Sequence, residues 1–374
     1  MDTIKRSYCH RVLRPAWVCR AALLISAVIS LGRSFVSPNS AELNQRIAYS
    51  EAANPASTDS RFPSWSPNKS QITRLHGYAG LLYRTMQPNC ISILGVGLLG
   101  GSVGLATKAF INDCRVVGYG HRASTLQQAL EIGAIDQAES DLAGAVKGCD
   151  LVILCTPVGL FTQMLKEIAD HLEPGTIVTD VGSTKRSVVR AAEKILPAGV
   201  HFVGSHPMAG SEKRGVEYAK PDLFQNAVCI LTPTPRTDKK ALATVDRFWQ
   251  ALGMSRVQIS PQEHDRFLAD ISHLPHAMAA SLISMQTDQE LPLAGKGFLD
   301  TTRIAAGDGA LWRDIFLDNR DNLKTSLARL RKQLESLEKL LETEDGDALA
   351  TWLNQAAVRR RGLLSQKLRE VTPD

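Results

Sequence analysis

The sequence predicts an α/β domain on a parallel sheet, followed by an all-α domain, with a disordered leader ahead of both. Between Cys90 and about Leu231, short apolar runs alternate with helical patterns, as βαβ units require. Beyond Pro261 strand signals stop and helical spacing takes over. The first apolar run, residues 90–94, opens directly onto Gly95-Val96-Gly97-Leu98-Leu99-Gly100-Gly101-Ser102. Glycines between a buried strand and a helix bring backbone against a pyrophosphate. Gly95 permits the tight turn, Gly97 admits the phosphates, and Gly100 lets the helix pack on its strand. That helix's N-terminal N–H groups then face the negative charge, and Leu98 and Leu99 join the glycines in the expected cofactor-binding set. A glycine-rich corner without a ligand is the competing reading. The strand before it and the helix expected over 103–110 favour a Rossmann-type, dinucleotide-binding domain.

Strands are expected at 90–94, 115–119, 151–156, 176–180, 202–205 and 227–231. The helix after the second strand is expected to open at Ser124, with Gln127 completing a capping box, and to close at Gly133. Leu160, Met164, Leu165, Ile168 and Leu172 give the next helix an apolar stripe that Pro174-Gly175 stops. In the second domain a helical pattern runs over 265–283, and Pro275 is expected to kink it. Leu323, Leu327, Leu330, Leu334, Leu337 and Leu341 then repeat every seven residues, one greasy seam on a long helix. Such a seam is buried either within its own subunit or against a second copy, and we expect a homodimer. The domains so read are 1–88 (leader), 89–258 (dinucleotide binding) and 259–374 (helical, substrate and dimer).

The chain has 374 residues, 44% hydrophobic and 22% charged, ordinary globular material. Its net charge of +5 is uneven: residues 1–88 carry 11 Lys and Arg against 4 Asp and Glu, the remainder 32 against 34. The folded part therefore gives no reason to expect nucleic acid as a partner. Seven cysteines without CxxC or paired metal spacing suggest no metal and a reducing compartment. Five basic residues precede an eleven-residue apolar run at 21–31, signal-like but too short to span a bilayer. Ser-, Asn- and Pro-rich sequence follows to about Asn68. Export suits a dinucleotide enzyme poorly, so the leader is expected to be non-native or outside the fold. Met86 would be the working start, with a cytoplasmic location and no membrane partner.

Where the second strand ends, an acid usually reads the ribose hydroxyls. Here Gly120 takes that place, followed by His121 and Arg122, which favours NADP over NAD unless Arg122 merely stacks on adenine. Thr156 and Pro157, closing the 151–156 strand, join the cofactor set. At the end of the 202–205 strand stands Ser205-His206-Pro207-Met208-Ala209-Gly210-Ser211-Glu212. A lone histidine is more often structural, but His206 is braced by proline, shares its loop with Ser211 and Glu212, and ordinarily titrates near neutrality, as a general base should. Ser183, at the end of the preceding strand, can orient a hydroxyl, cap a helix, or do both. Ser272-His273-Leu274-Pro275-His276 and Gly297-Phe298-Leu299-Asp300-Thr301-Thr302-Arg303 supply the second domain's chemistry. Arg303 is either a carboxylate clamp or an ordinary surface arginine.

Together GVGLLGGS (95–102), TDVGSTK (179–185), GSHPMAGSEKRGVE (204–217), SHLPHAMA (272–279) and GFLDTTRIA (297–305) resemble the prephenate/arogenate dehydrogenase family of tyrosine biosynthesis. The resemblance implies that His206 is catalytic and that Ser183 orients the substrate hydroxyl and that histidine. It implies that Glu212 gates or positions the site and that His276 and Arg303 contact substrate. Family members often carry glycine where Lys296 stands, which puts that loop's wall in question. The implied reaction is oxidative decarboxylation of a cyclohexadienol, prephenate or arogenate, with hydride passing to NADP or NAD. A β-hydroxyacid dehydrogenase would need a lysine on the helix after the sheet domain, yet none precedes Lys296 there. A dinucleotide-sensing protein without chemistry remains the reading from another class.

Overall fold

The computed structural model describes residues 87–211 and 213–371, with side chains through residue 363. The leader up to Met86 and Glu212 therefore lie outside the described residues. Eight strands form one sheet: β1 (Cys90–Leu94), β2 (Arg115–Tyr119), β3 (Gln137–Glu139), β4 (Leu151–Leu154), β5 (Ile177–Asp180), β6 (His201–Pro207), β7 (Val228–Thr232) and β8 (Ser255–Gln258). Their order is β3-β2-β1-β4-β5-β6-β7-β8, parallel at every pairing except β6 with β7. A long helical crossover forces parallel pairing. Between β6 and β7 only one short 3₁₀ turn intervenes, so β7 returns antiparallel. The sequence pattern missed β3 and β8 for one reason. Gln-Ala-Glu and Ser-Arg-Val-Gln lie at the two sheet edges and carry no apolar run.

Helices α1 (Leu98–Phe110), α2 (Ala123–Glu131), α3 (Leu142–Val146), α4 (Phe161–Ile168), α5 (Arg186–Ile195) and α6 (Lys239–Ala251) cover both sheet faces. One face packs Ile91, Ile93, Val103, Ala106, Leu126, Phe248 and Trp249, the other Leu94, Leu154, Phe161, Leu165, Ile168 and Val188. Strands buried on both faces have to read as near-continuous apolar runs, which is why β1 and β4 were legible. The first helix starts at Leu98, five residues before the expected 103, because its glycines are packing positions. A Cβ on Gly100 would fall 2.1 Å from the Gly95 carbonyl oxygen, and one on Gly104 2.0 Å from that of Ala134. The box expected at Ser124 and Gln127 does not form: α2 starts at Ala123, so Ser124 lies inside its first turn and Arg122 is the cap, without a side-chain bond.

Beyond the sheet come α7 (Pro261–Leu268), a five-residue π segment (Ala269–His273), α8 (Leu274–Ser284), α9 (Lys296–Thr302), α10 (Gly309–Asp318), α11 (Arg320–Glu342) and α12 (Gly346–Val371). Ser260 and Glu263 form a capping box ahead of α7. Pro275 does not sit mid-helix as expected. The π segment breaks the pattern first, and Pro275 falls in the opening turn of α8, where a missing N–H costs little. On α11, Leu323 is buried, whereas Leu327, Leu334 and Leu341 are 38%, 45% and 57% exposed. Most of that seam is left uncovered by its own subunit. No described helix is long and apolar enough to cross a membrane, and no described cluster could hold a metal.

Candidate active site

The carboxyl edge of β1 and β4 forms the first half of the site. Gly95 has φ +111°, and a Cβ there would lie 2.8 Å from Thr156 and 2.9 Å from the Cys155 backbone. At Gly97, by contrast, an added Cβ would meet nothing within 4 Å. Gly97 caps α1 with no side-chain bond, and the first turn holds no acidic residue. The N–H groups of Leu98, Leu99 and Gly100 therefore border open space on a positive helix end, which fits the pyrophosphate of a dinucleotide. His121 and Arg122 are exposed at the end of β2, His121 with its ring edge against Tyr119. Thr156 directs its hydroxyl to the Met164 sulfur at 3.1 Å, and Pro157 is exposed at the head of the turn into α4.

Behind this edge lies a fully buried polar cluster. Asp180, the last residue of β5, accepts the N–H groups of Gly182 (2.9 Å) and Ser205 (3.1 Å) and pairs with the Lys185 ammonium. Both members of the pair are sealed from solvent. Burial pushes the Asp180 carboxyl up, while Lys185 and the two N–H groups act to hold it ionised. Ser205 also accepts the indole N–H of Trp249 at 3.1 Å, tying the cluster to α6.

His206 lies inside β6 and not in a loop after it, because pairing with β7 carries that strand through Pro207. It is 7% exposed. Its Nδ1 is 2.9 Å from Nε2 of His264, whose Nδ1 is 2.8 Å from Oδ1 of Asp265. The expectation of a base titrating near neutrality is corrected. Burial, with His264 and Lys185 close by, holds the imidazole well below its ordinary value. Burial likewise lowers His264 and takes His273 down to about 4.

Asp265 is buried on α7, yet its carboxylate accepts the backbone N–H groups of Lys185 (2.8 Å) and Arg186 (3.0 Å) from the β5–α5 turn. Burial alone would raise this carboxyl, but His264 and those two N–H groups bring it below the usual carboxylate value. Ser183 sits half-buried in the same turn. It does not cap α5, whose cap position is Lys185, so the capping alternative falls. From Asp265 the contacts continue outward. Asn319 donates to the Asp265 carbonyl at 2.7 Å and lies 3.1 Å from Nδ1 of His273. His276, one turn further along α8, stacks on Trp312 at 3.5 Å and 14°, with its Nδ1 unpartnered. A Cβ on Gly307 would come within 2.9 Å of that imidazole. Arg303 is exposed on a short turn that packs on α8, four residues before Gly307. Arg214 and Asp308 pair across the two halves of the molecule.

The structure thus links His206, the turn holding Ser183, and His276 through a continuous set of contacts. Arg303 is exposed on the 303–306 turn that packs on α8, the helix that carries His276. Sequence reasoning missed Asp180, Lys185, Asp265 and Trp312 and gave His264 no role. The one available signal was a His-Asp dipeptide inside a Ser-x-x-Glu helix start.

A glycine turn with an open helix end, and a buried imidazole on β6 of the same sheet, fit a dinucleotide-dependent oxidoreductase with an acid–base site. The comparisons with known proteins agree. The family model for the prephenate dehydrogenase nucleotide-binding domain matches residues 103–258, and that for the prephenate dehydrogenase dimerization domain matches 260–355. The chain is 39% identical to the prephenate dehydrogenase of Bacillus subtilis, over 74% of this chain and 77% of that one. It is similar to the crystal structure of A. aeolicus prephenate dehydrogenase bound to hydroxyphenyl propionate and NAD+, with 35% identity, a TM-score of 0.69, and coverage of 73% of this chain and 98% of that one. Synechocystis arogenate dehydrogenase gives 31% identity and a TM-score of 0.64, covering 73% and 99%. The chain belongs to the prephenate dehydrogenase family.

Proposed function

We propose that this enzyme converts prephenate to 4-hydroxyphenylpyruvate by oxidative decarboxylation, on the strength of one observation: a buried His206 on β6 of the same sheet whose β1 opens onto the dinucleotide cradle. Gly95, Gly97, Leu98, Leu99, Gly100, His121, Arg122, Thr156 and Pro157 would hold the cofactor. A nicotinamide held there would supply the acceptor for hydride from the ring carbon that bears the hydroxyl. Nε2 of His206 takes the hydroxyl proton, and the carbon–oxygen bond becomes a carbonyl. The ring carboxylate then leaves as CO2, and the pair from the broken carbon–carbon bond aromatises the ring. The chain's contribution is to position the reacting carbon and supply the base. Ser183 orients the hydroxyl, His276 and Arg303 hold substrate, and Glu212 gates the site.

Arogenate shares the ring and its carboxylate and differs only in the side chain, so it is the alternative substrate. His121 and Arg122 favour NADP: Gly120 stands where a ribose-binding acid would repel a 2′-phosphate, and the two basic residues follow it. Residues 89–258 carry the cofactor. Residues 259–374 carry substrate groups and the exposed leucine seam of a homodimer, and the enzyme works in the cytoplasm. Steady-state assay of both substrates with both cofactors tests this reading: reduced cofactor should form fastest with prephenate and NADP+, and no turnover with either substrate would sink it.

Arg303→Ala tests the clamp separately. A guanidinium that holds a substrate carboxylate acts on binding, so KM for the substrate should rise about tenfold or more with kcat little changed. An unchanged KM would make Arg303 an ordinary rim residue.

A further inference from the structure

We propose that His264 and Asp265 are positioning residues: they fix the proton of the His206 ring on Nδ1 and so leave Nε2 as the lone pair that meets the substrate. The proposal deepens the assignment of His206 as the base and rests on it.

The argument starts at Asp265. Oδ1 accepts Lys185 N–H at 2.8 Å and Oδ2 accepts Arg186 N–H at 3.0 Å, and backbone amides have no other role than to donate. Asp265 is a carboxylate held in place from the opposite domain, and a carboxylate offers only acceptors. The His264 nitrogen 2.8 Å from Oδ1 must therefore carry a proton, which fixes it on Nδ1. His264 is fully buried, and burial together with the nearby Lys185 lowers its pKa despite the Asp265 carboxylate, which favours a ring with the single Nδ1 proton. Its Nε2 is then a bare lone pair.

That lone pair lies 2.9 Å from Nδ1 of His206. Two lone pairs do not face each other at that distance, so Nδ1 of His206 donates. A neutral imidazole has one proton, and its Nε2 is free to accept another. When the hydroxyl proton arrives, the positive charge on His206 is met by the same hydrogen-bonded line, which ends on the Asp265 anion. No group along it changes place. The turn that anchors Asp265 also holds Ser183.

The test uses the full chain labelled with ¹⁵N-histidine, in which N–H and bare ring nitrogens have separate signals, His206 being assigned by their loss in His206→Asn. The expected wild-type state is His206 protonated on Nδ1 and bare on Nε2; the opposite tautomer overturns the proposal. This reading needs no turnover and no altered residue around the ring. Kinetics supply the second arm. His264→Leu removes the acceptor and should lower kcat on the order of 100-fold with the cofactor dissociation constant unchanged. His264→Gln places a carbonyl oxygen near the lost Nε2 and should restore at least about tenfold of that loss. Equal kcat in the Leu and Gln variants, or an undiminished Leu variant, overturns the positioning role. Full turnover in His206→Asn would instead remove the base assignment beneath it, so the two failures are distinguishable.

Discussion

His206→Asn is expected to lower kcat by about 10²- to 10⁴-fold, the usual contribution of a positioned general base. Cofactor binding should stay within about twofold of wild type, because the glycine cradle and its open helix end belong to β1 and α1. Asparagine keeps a polar group of similar reach towards His264 but has no basic lone pair. The pH profile of the wild-type enzyme provides an independent check. A base works in its unprotonated form, so the rate falls as pH drops through its folded-state value. Burial, His264 and Lys185 hold that value well below 6.5. The acid limb of kcat/KM should therefore lie below pH 6.5, with a plateau across neutrality. Burst and steady-state assays against pH, with calorimetric titration of the cofactor, measure all three quantities. A variant that turns over at the wild-type rate would remove His206 from the chemistry.

Asp180→Ala should cost roughly 3–5 kcal/mol of folding stability, the range for removing one partner of a buried ion pair. The loss has a specific origin. Lys185 would remain as a charge with no exposure to solvent, and the N–H groups of Gly182 and Ser205 would lose their acceptor. Replacing both partners, as in Asp180→Leu with Lys185→Met, should recover most of the loss, because no unpaired charge is then left inside. Urea unfolding of the single and double variants, read as midpoint and slope, separates these contributions. A single variant within about 1 kcal/mol of wild type would show that the pair does not carry the stability its burial implies.

The fold was legible wherever burial dictated composition. β1, β2, β4 and β5 are covered on both faces and read as apolar runs, and Leu98–Phe110 follows its glycines as a phosphate-binding turn requires. The two edge strands were invisible because an edge strand needs no apolar run; β7 was expected as a strand at 227–231, but its antiparallel direction was not, because direction is set by the connection and not by the strand. Of the proposed site, His206, Ser183, His276 and Arg303 come from short motifs in the sequence. Asp265 does not. Its importance comes from two backbone amides 79 and 80 residues earlier, and no local pattern encodes a partner at that separation. Lys185 was hidden for a related reason: a lysine reads as surface unless its buried carboxylate is known.

The attachment of Asp265 to the Lys185 and Arg186 amides has a practical outcome for anyone recombining such enzymes. A chimera joined between Gln258 and Pro261 would inherit its imidazole from one parent and the acceptor line from the other. Even with both parents closely related and each half well folded, the seam would cut the proton machinery in two. Transplanting the helical half alone is thus a change to the chemistry itself.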